Sequence, residues 1–186
     1  MARADSPNVI QRYAAPANEM FEVDAVDTTE MDPKNLRQVV DYPTTQRPGT
    51  IIVDPRKRFL YLTMENGQAL RYGVGVGKAG LEFSGTATVQ AKKPWPRWTP
   101  TPDMIRREPA RYRPWAKGME SGARNPLGAR ALYLFKNGKD TLYRIHGTTE
   151  PGSIGKAVSS GCIRMLNQDV IDLYNRVPRG AKVVVL

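Results

Sequence analysis

From residue 50 onward the apolar positions come as short β-branched and aromatic runs cut by turn residues. TIIVD at 50–54 and FLYLTM at 59–64 are separated by Pro55, Arg56, Lys57 and Arg58, and such runs predict strands. Asn66-Gly67 predicts a hairpin turn, because that dipeptide accepts positive φ. A third strand is expected over 68–77 and a fourth over 86–91. Runs at 131–135 and 141–145 flank Asn137-Gly138 and predict a second hairpin, and 182–186 predicts a closing strand. One helix stands out, from 168 to about 177. Asn167 would cap it, Asp169 would sit in its positive first turn, and Pro178 and Gly180 would stop it. Val170, Leu173, Tyr174 and Val177 recur at helical spacing, so one face should pack on the strands. Asp169 and Asp172 are expected to be solvated. The pattern reads as a mainly β domain with a few short helices.

Two segments break this texture. Residues 1–47 contain Pro7, Pro16, Pro33 and Pro43 and hold 5 basic against 8 acidic residues. They read as an extension or linker, with one short helix near 33–40 that Asp32 would cap and Pro33 would start. Residues 92–117 hold six of the fifteen prolines, all three tryptophans, eight Lys/Arg and only Asp103 and Glu108 as acids. Prolines argue against a central strand there, while Trp95, Trp98, Tyr112 and Trp115 argue for order. Such a segment is either a packed surface loop or a lid that stacks on and neutralises an acidic ligand.

A chain of 186 residues with 40% hydrophobic and 25% charged residues is long enough for one globular domain with an appendage. Its net charge is +10, and residues 48–186 hold 23 basic against 10 acidic residues. A basic body expects an anionic partner: nucleic acid, a membrane surface or an acidic polymer. No apolar run approaches the ~20 residues that span a bilayer. One Cys excludes an intramolecular disulfide, and one Cys with one His cannot make a Cys/His zinc site. No metal or cofactor is therefore expected.

That single Cys and single His share one window, RIHGTTEPGSIGKAVSSGCIRM, at 144–165. A lone Cys is most often an inert buried hydrophobe and a lone His structural. Context points the other way. Cys162 follows Ser159, Ser160 and Gly161, small residues that leave room around a thiol. His146 ends an apolar strand and precedes Gly147. A free thiol is mostly protonated at neutral pH, so a neighbouring imidazole is needed to take its proton and return it to a leaving amine. The N–H groups of Gly161 and Cys162 can face a developing oxyanion, each donor worth about 3 kcal/mol of barrier. The residues thus suggest acyl transfer through a thioester, with Cys162 as nucleophile and His146 as base. Trp95 and Trp98, with Arg144 and Ser159 flanking the pair, are candidate substrate contacts.

Other patterns are weaker. Gly73 to Lys78 looks superficially like a phosphate loop but has Tyr72 and Ala79 where that motif needs Gly and Ser or Thr, and 80–85 does not open a helix as a dinucleotide fingerprint would. These glycines read as strand positions that let backbones approach closely. The serines at 159 and 160 lack a nucleophile elbow. A papain-like protease would have Cys before His in the chain.

The run from His146 to Met165, ending in SSGCIRM, resembles the signature of the YkuD-type L,D-transpeptidases: His-Gly, a spacer, then Ser-x-Gly-Cys, an apolar residue and Arg. The resemblance extends over 48–186 through PGTIIVD, RYGVGVG and NPLGARALYL. It implies a mixed β-sandwich or barrel-like catalytic domain of the periplasm or cell envelope that acts on peptidoglycan stem peptides. By position, His146 is the base, Gly147 and Ser160 support it, Gly161 and Cys162 form the oxyanion hole, and Arg164 holds the loop or a substrate carboxylate. Many members have a second His where this chain has Ser160, so here His146 would serve both half-reactions. The acceptor could be a stem amine, a lysine of an envelope protein, or water, the last giving an L,D-carboxypeptidase or amidase. A non-catalytic basic module binding peptidoglycan or nucleic acid is the rival from another class; nucleic acid is not the expected partner. MARADSPNVI has no apolar signal-type stretch, so the expectation is a chain that starts after such a segment.

Overall fold

A computed structural model of the chain describes residues 1–78, 83–159 and 162–186. Its helices are α1 (Pro7–Arg12), α2 (Pro102–Arg107), α3 (Pro109–Tyr112) and α4 (Asn167–Arg176). Its strands are β1 (Gln38–Asp41), β2 (Ile51–Asp54), β3 (Phe59–Thr63), β4 (Gln68–Gly73), β5 (Val76–Gly77), β6 (Gly85–Pro94), β7 (Arg130–Lys136), β8 (Lys139–His146), β9 (Ala157–Ser159), β10 (Ile163–Arg164) and β11 (Lys182–Val185). Nine strands form one sheet in the order β1-β4-β3-β2-β11-β6-β7-β8-β10, and β5 and β9 pair separately. The domain is thus mainly β, as expected.

Turn chemistry sets the hairpins. Asn66 and Gly67 join β3 to β4 at φ 59° and 66°, and Asn137 and Gly138 join β7 to β8 at 52° and 73°. Residues of nine strands then converge on one apolar cluster that includes Ile51, Leu60, Tyr72, Val89, Leu132, Ile145 and Val183. Strands as far apart in the sheet order as β4 and β10 share this cluster, so the sheet curls around it. Helix α4 closes it with Val170 and Leu173, joined by Val177 at its C-cap, the face its periodicity marked.

Several expectations are corrected. The strand expected over 68–77 is two: β4 stays in the large sheet, and β5 leaves it to pair with β9. Strand β6 runs on to Pro94, the first of the prolines that argued against a central strand. It pairs with β11 only over Gly85 to Thr88, so Pro94 faces a partner on the β7 side alone and no donor is missing on the other. Asn167 does not cap α4. Its Oδ1 accepts from the Ala129 N–H at 2.9 Å instead, and Leu166 holds the cap position.

Residues 1–47 are no detached linker. The helix expected near 33–40 is a 3-10 turn, Pro33–Asn35, followed by β1, which pairs antiparallel with β4. Asp32 does accept from the Lys34 N–H, as a capping residue should. Tyr13 is fully buried, and its hydroxyl donates to Asp169 at 2.9 Å and accepts from the Arg37 N–H at 2.7 Å. Asp169 is therefore not solvated but wholly buried, and Asp172 pairs with Arg37 at 3.1 Å and accepts from Tyr72 at 2.7 Å. Burial pushes the Asp169 carboxyl up to about 7, against the pull of Arg37 and Tyr13.

Candidate active site

His146 is the last residue of β8, and strand pairing fixes its backbone from both sides. The Met165 N–H donates to its carbonyl at 2.8 Å, and the Gly147 N–H donates to Arg130 at 3.1 Å. In the parallel pairing of β8 with β10, Arg164 lies opposite His146 and Ile163 opposite Ile145. One residue further back, that register brings Cys162 level with Arg144. Side chains alternate along strands, so Cys162, Arg164, Arg144 and His146 share one face while Ile145 and Ile163 enter the core. A separation of sixteen residues in sequence thus closes to the end of β8 and the residue just before β10.

Two glycines permit this. Gly75 and Arg164 exchange both main-chain hydrogen bonds at 2.9 Å, and a Cβ on Gly75 would come within 2.8 Å of the Ser153 carbonyl. A Cβ on Gly147 would overlap Asn167 Oδ1. That side chain is held by Ala129 and by donating to the Thr148 carbonyl at 3.2 Å.

His146 is 5% exposed. Its Nδ1 lies 2.5 Å from the Gly147 carbonyl, which can only accept, so Nδ1 carries the proton and Nε2 is the basic atom. Burial, followed by the charges of Arg164 and Arg144, pulls the imidazole down to about 4 against the stabilising Gly147 contact. Cys162 is partly exposed, and its thiol donates to the Leu142 carbonyl at 4.0 Å. Desolvation raises the thiol pKa, while the Arg144 N–H and the Arg144 and Arg164 charges oppose the rise. At neutral pH the resting pair is a thiol beside a neutral imidazole. Leu142 itself takes φ 64°, an unusual value for a branched residue, right at the thiol.

Both side chains line a cavity of about 360 Å³. Thr141, Leu142, Tyr143 and Arg164 complete one wall, and the insertion 95–129 between β6 and β7 supplies the other. Trp98, Met104, Tyr112 and Trp115 give that wall aromatic and apolar surface, and Arg107, Arg111 and Arg124 give it charge. The basic segment therefore covers the cavity, in the position a lid would take.

The remaining candidates divide. Arg164 reaches Glu150 at 2.8 Å and so ties β10 to the loop after β8. Arg144 is held by both oxygens of Asp140, at 2.6 and 2.8 Å, and lies over the Tyr133 ring. Trp95 is not in the cavity wall: it is 6% exposed, packs edge-on to Phe21 and donates from Nε1 to Glu19 at 2.9 Å. The backbone of Ser159 pairs with Gly77. Ser160 and Gly161 lie outside the described residues. Sequence reasoning missed Arg124 and Leu142, which carry no motif and reach the cavity only through the fold.

The family model of the YkuD L,D-transpeptidase catalytic domain matches residues 48–185. The chain belongs to this family. Among curated L,D-transpeptidase relatives, the probable L,D-transpeptidase ErfK/SrfK of Escherichia coli is 34% identical over 81% of this chain and 48% of its own length. The chain spans about half the length of the Escherichia coli relatives it matches. A crystal structure described as a probable carnitine operon oxidoreductase from Brucella melitensis is 55% identical, with a TM-score of 0.57, over 84% of this chain and 96% of that one. That description belongs to the Brucella protein. L,D-transpeptidase 3 of Mycobacterium tuberculosis, solved with a faropenem-derived adduct, shares the fold at 16% identity, with a TM-score of 0.51 over 73% of this chain and 59% of that one. The L,D-transpeptidase domain here contains both Cys162 and His146. No helix among the described residues is long and apolar enough to cross a membrane.

Proposed function

We propose that the protein is a peptidoglycan L,D-transpeptidase of the periplasm or cell envelope that works through a thioester on Cys162. The observation that carries this is the placing of the only imidazole at the end of β8 and the only thiol just before the adjacent β10, both lining one cavity. As Sγ attacks the L-centre carbonyl of a tetrapeptide stem, the thiol proton passes to His146 Nε2. The main-chain N–H groups at 161 and 162 receive the oxyanion. Collapse breaks the amide bond, His146 returns the proton to the departing D-Ala amine, and the thioester remains. An incoming amine then gives a proton to His146, attacks the thioester, and expels the Cys162 sulfur, which is reprotonated. The raised thiol and lowered imidazole favour this general-base route over a standing thiolate–imidazolium pair. The acceptor is a stem amine or a protein lysine; with water the same thioester gives an L,D-carboxypeptidase, and muropeptide products distinguish the outcomes. Arg107, Arg111 and Arg124 suit the free carboxylates of stem peptides.

The test is intact mass after exposure to faropenem or a carbapenem. A covalent adduct is expected on the wild-type chain and none on Cys162→Ala. An unmodified wild type whose thiol is also slow toward iodoacetamide would make Cys162 a structural residue.

A further inference from the structure

The insertion 95–129 leaves the sheet at the end of β6 and returns at the start of β7, and its two roots are tied to each other. Pro94 pairs with Arg130, and the Trp95 N–H donates to the Ala129 carbonyl at 2.8 Å. Trp95 takes φ 44°, the left-handed region that a bulky residue occupies only when its surroundings hold it there. Part of what holds it comes from outside the matched domain. The Glu19 carboxylate accepts from Trp95 Nε1 at 2.9 Å and grips the Arg130 guanidinium through both oxygens, at 2.9 and 2.8 Å. The Glu19 and Arg130 side chains are only 11% and 12% exposed. Phe21 and Val23 pack beside them against Trp95 and Ala129. A neighbouring stretch of the same segment is fastened by Gln168, whose Nε2 donates to the carbonyls of Tyr13, Ala14 and Asp24.

We propose that Glu19 is a positioning residue: it clamps the two roots of the lid together and so sets the opening of the cavity over Cys162. This rests on the proposed function only in taking that cavity as the catalytic one. The clamp touches no substrate; it acts through Trp95 and Arg130. A misplacement of about 1 Å in such a wall can cost on the order of a hundredfold in rate, so a modest loosening should be measurable.

The experiment compares Glu19→Ala, Glu19→Gln and Arg130→Met with the wild type. The first readout is the labelling rate of Cys162 by a bulky maleimide relative to iodoacetamide, which needs no assumption about function. Glu19→Ala should change that ratio about tenfold, leaving the iodoacetamide rate close to wild type. Glu19→Gln, which still offers an acceptor to Trp95, should fall between. The Glu19→Ala/Arg130→Met pair should be no worse than either single change, since both break one device. The second readout is acylation by faropenem, which should slow chiefly through a higher half-saturation concentration. An unchanged labelling ratio would overturn the clamp whatever acylation does, and so would a fall in iodoacetamide labelling that tracks loss of thermal stability. A changed ratio in a protein whose wild type forms no adduct would sink the proposed function and leave the clamp standing.

Discussion

The two walls of the cavity are built in opposite ways. The wall that holds His146 and Cys162 is built on sheet: His146 ends β8, which is bonded to a neighbouring strand on both sides, Cys162 immediately precedes β10, and the adjoining Ile145 and Ile163 are anchors of the main core. The facing wall is an insertion of one- and two-turn helices, none of whose α2 residues is buried, with Trp115 43% exposed. Its order comes from local ties, such as Trp98 pairing with Met119 and Arg97 with Glu120, and from the clamp at its roots. Under the proposed function, chemistry that needs fixed geometry falls on the rigid wall, and charge that needs only proximity on the adjustable one. Substitutions on the sheet wall should therefore act on the chemical step, and those on the lid on binding.

The largest effect is expected at His146. Replacement by Gln keeps an amide able to donate to the Gly147 carbonyl but leaves nothing to take the thiol proton. Acylation should fall roughly 10²–10⁴-fold, while the unfolding midpoint moves little. Equal acylation rates in the two proteins would remove His146 from the mechanism and collapse the distinction between the walls.

The pH profile is a gentler probe of the same wall. With the imidazole at about 4, acylation of the free enzyme should stay nearly flat from pH 5.5 to 8 and decline only on approach to pH 4. A standing requirement for free thiolate would instead give close to a tenfold rise per pH unit below the thiol pKa. The sign for stability follows from the same shift. Between the folded value of about 4 and the unfolded value near 6.5 the unfolded chain binds more protons. Stability contributed by neutral His146 is thus present above 6.5 and is lost as pH falls toward 4. His146→Gln should remove that part of the acid sensitivity, as thermal unfolding across the range can show.

Legibility in the sequence divides along the same line. Strands, hairpins and α4 were readable because their signals are local: β-branched and aromatic runs, Asn-Gly turns and a helical apolar stripe. The Cys162 and His146 pair was readable because each residue type occurs once and both fall in one window. The basic insertion was readable as a compositional break, but which of its residues face the cavity was not. Trp95 and Trp98 look alike in sequence, yet the first anchors a root and the second lines the cavity. The docking of residues 1–47 was hidden for a different reason. Tyr13 meets Asp169 across 156 residues, and neither has a neighbour in sequence that announces the other. A buried Asp is the exception among carboxylates, so solvated was the natural expectation until Tyr13 and Arg37 appeared beside it.

The smallest effects should come from the lid charges. Arg111 is exposed and leans toward Glu108 at 3.5 Å, and Arg124 sits at the cavity rim. Exposed pairs with a substrate carboxylate are screened by solvent and salt, and each contributes about 0.2–1 kcal/mol. Arg111→Met with Arg124→Met should therefore weaken acylation by an anionic stem peptide by about 2–10-fold, through the half-saturation concentration and not the maximal rate. The deficit should shrink as salt rises, because the wild type loses what the variant already lacks. Iodoacetamide, small and uncharged, should label Cys162 equally in both proteins. A loss in maximal rate, or one that salt leaves unchanged, would mean that the lid arginines take part in positioning the reacting groups and that the two walls are not separable.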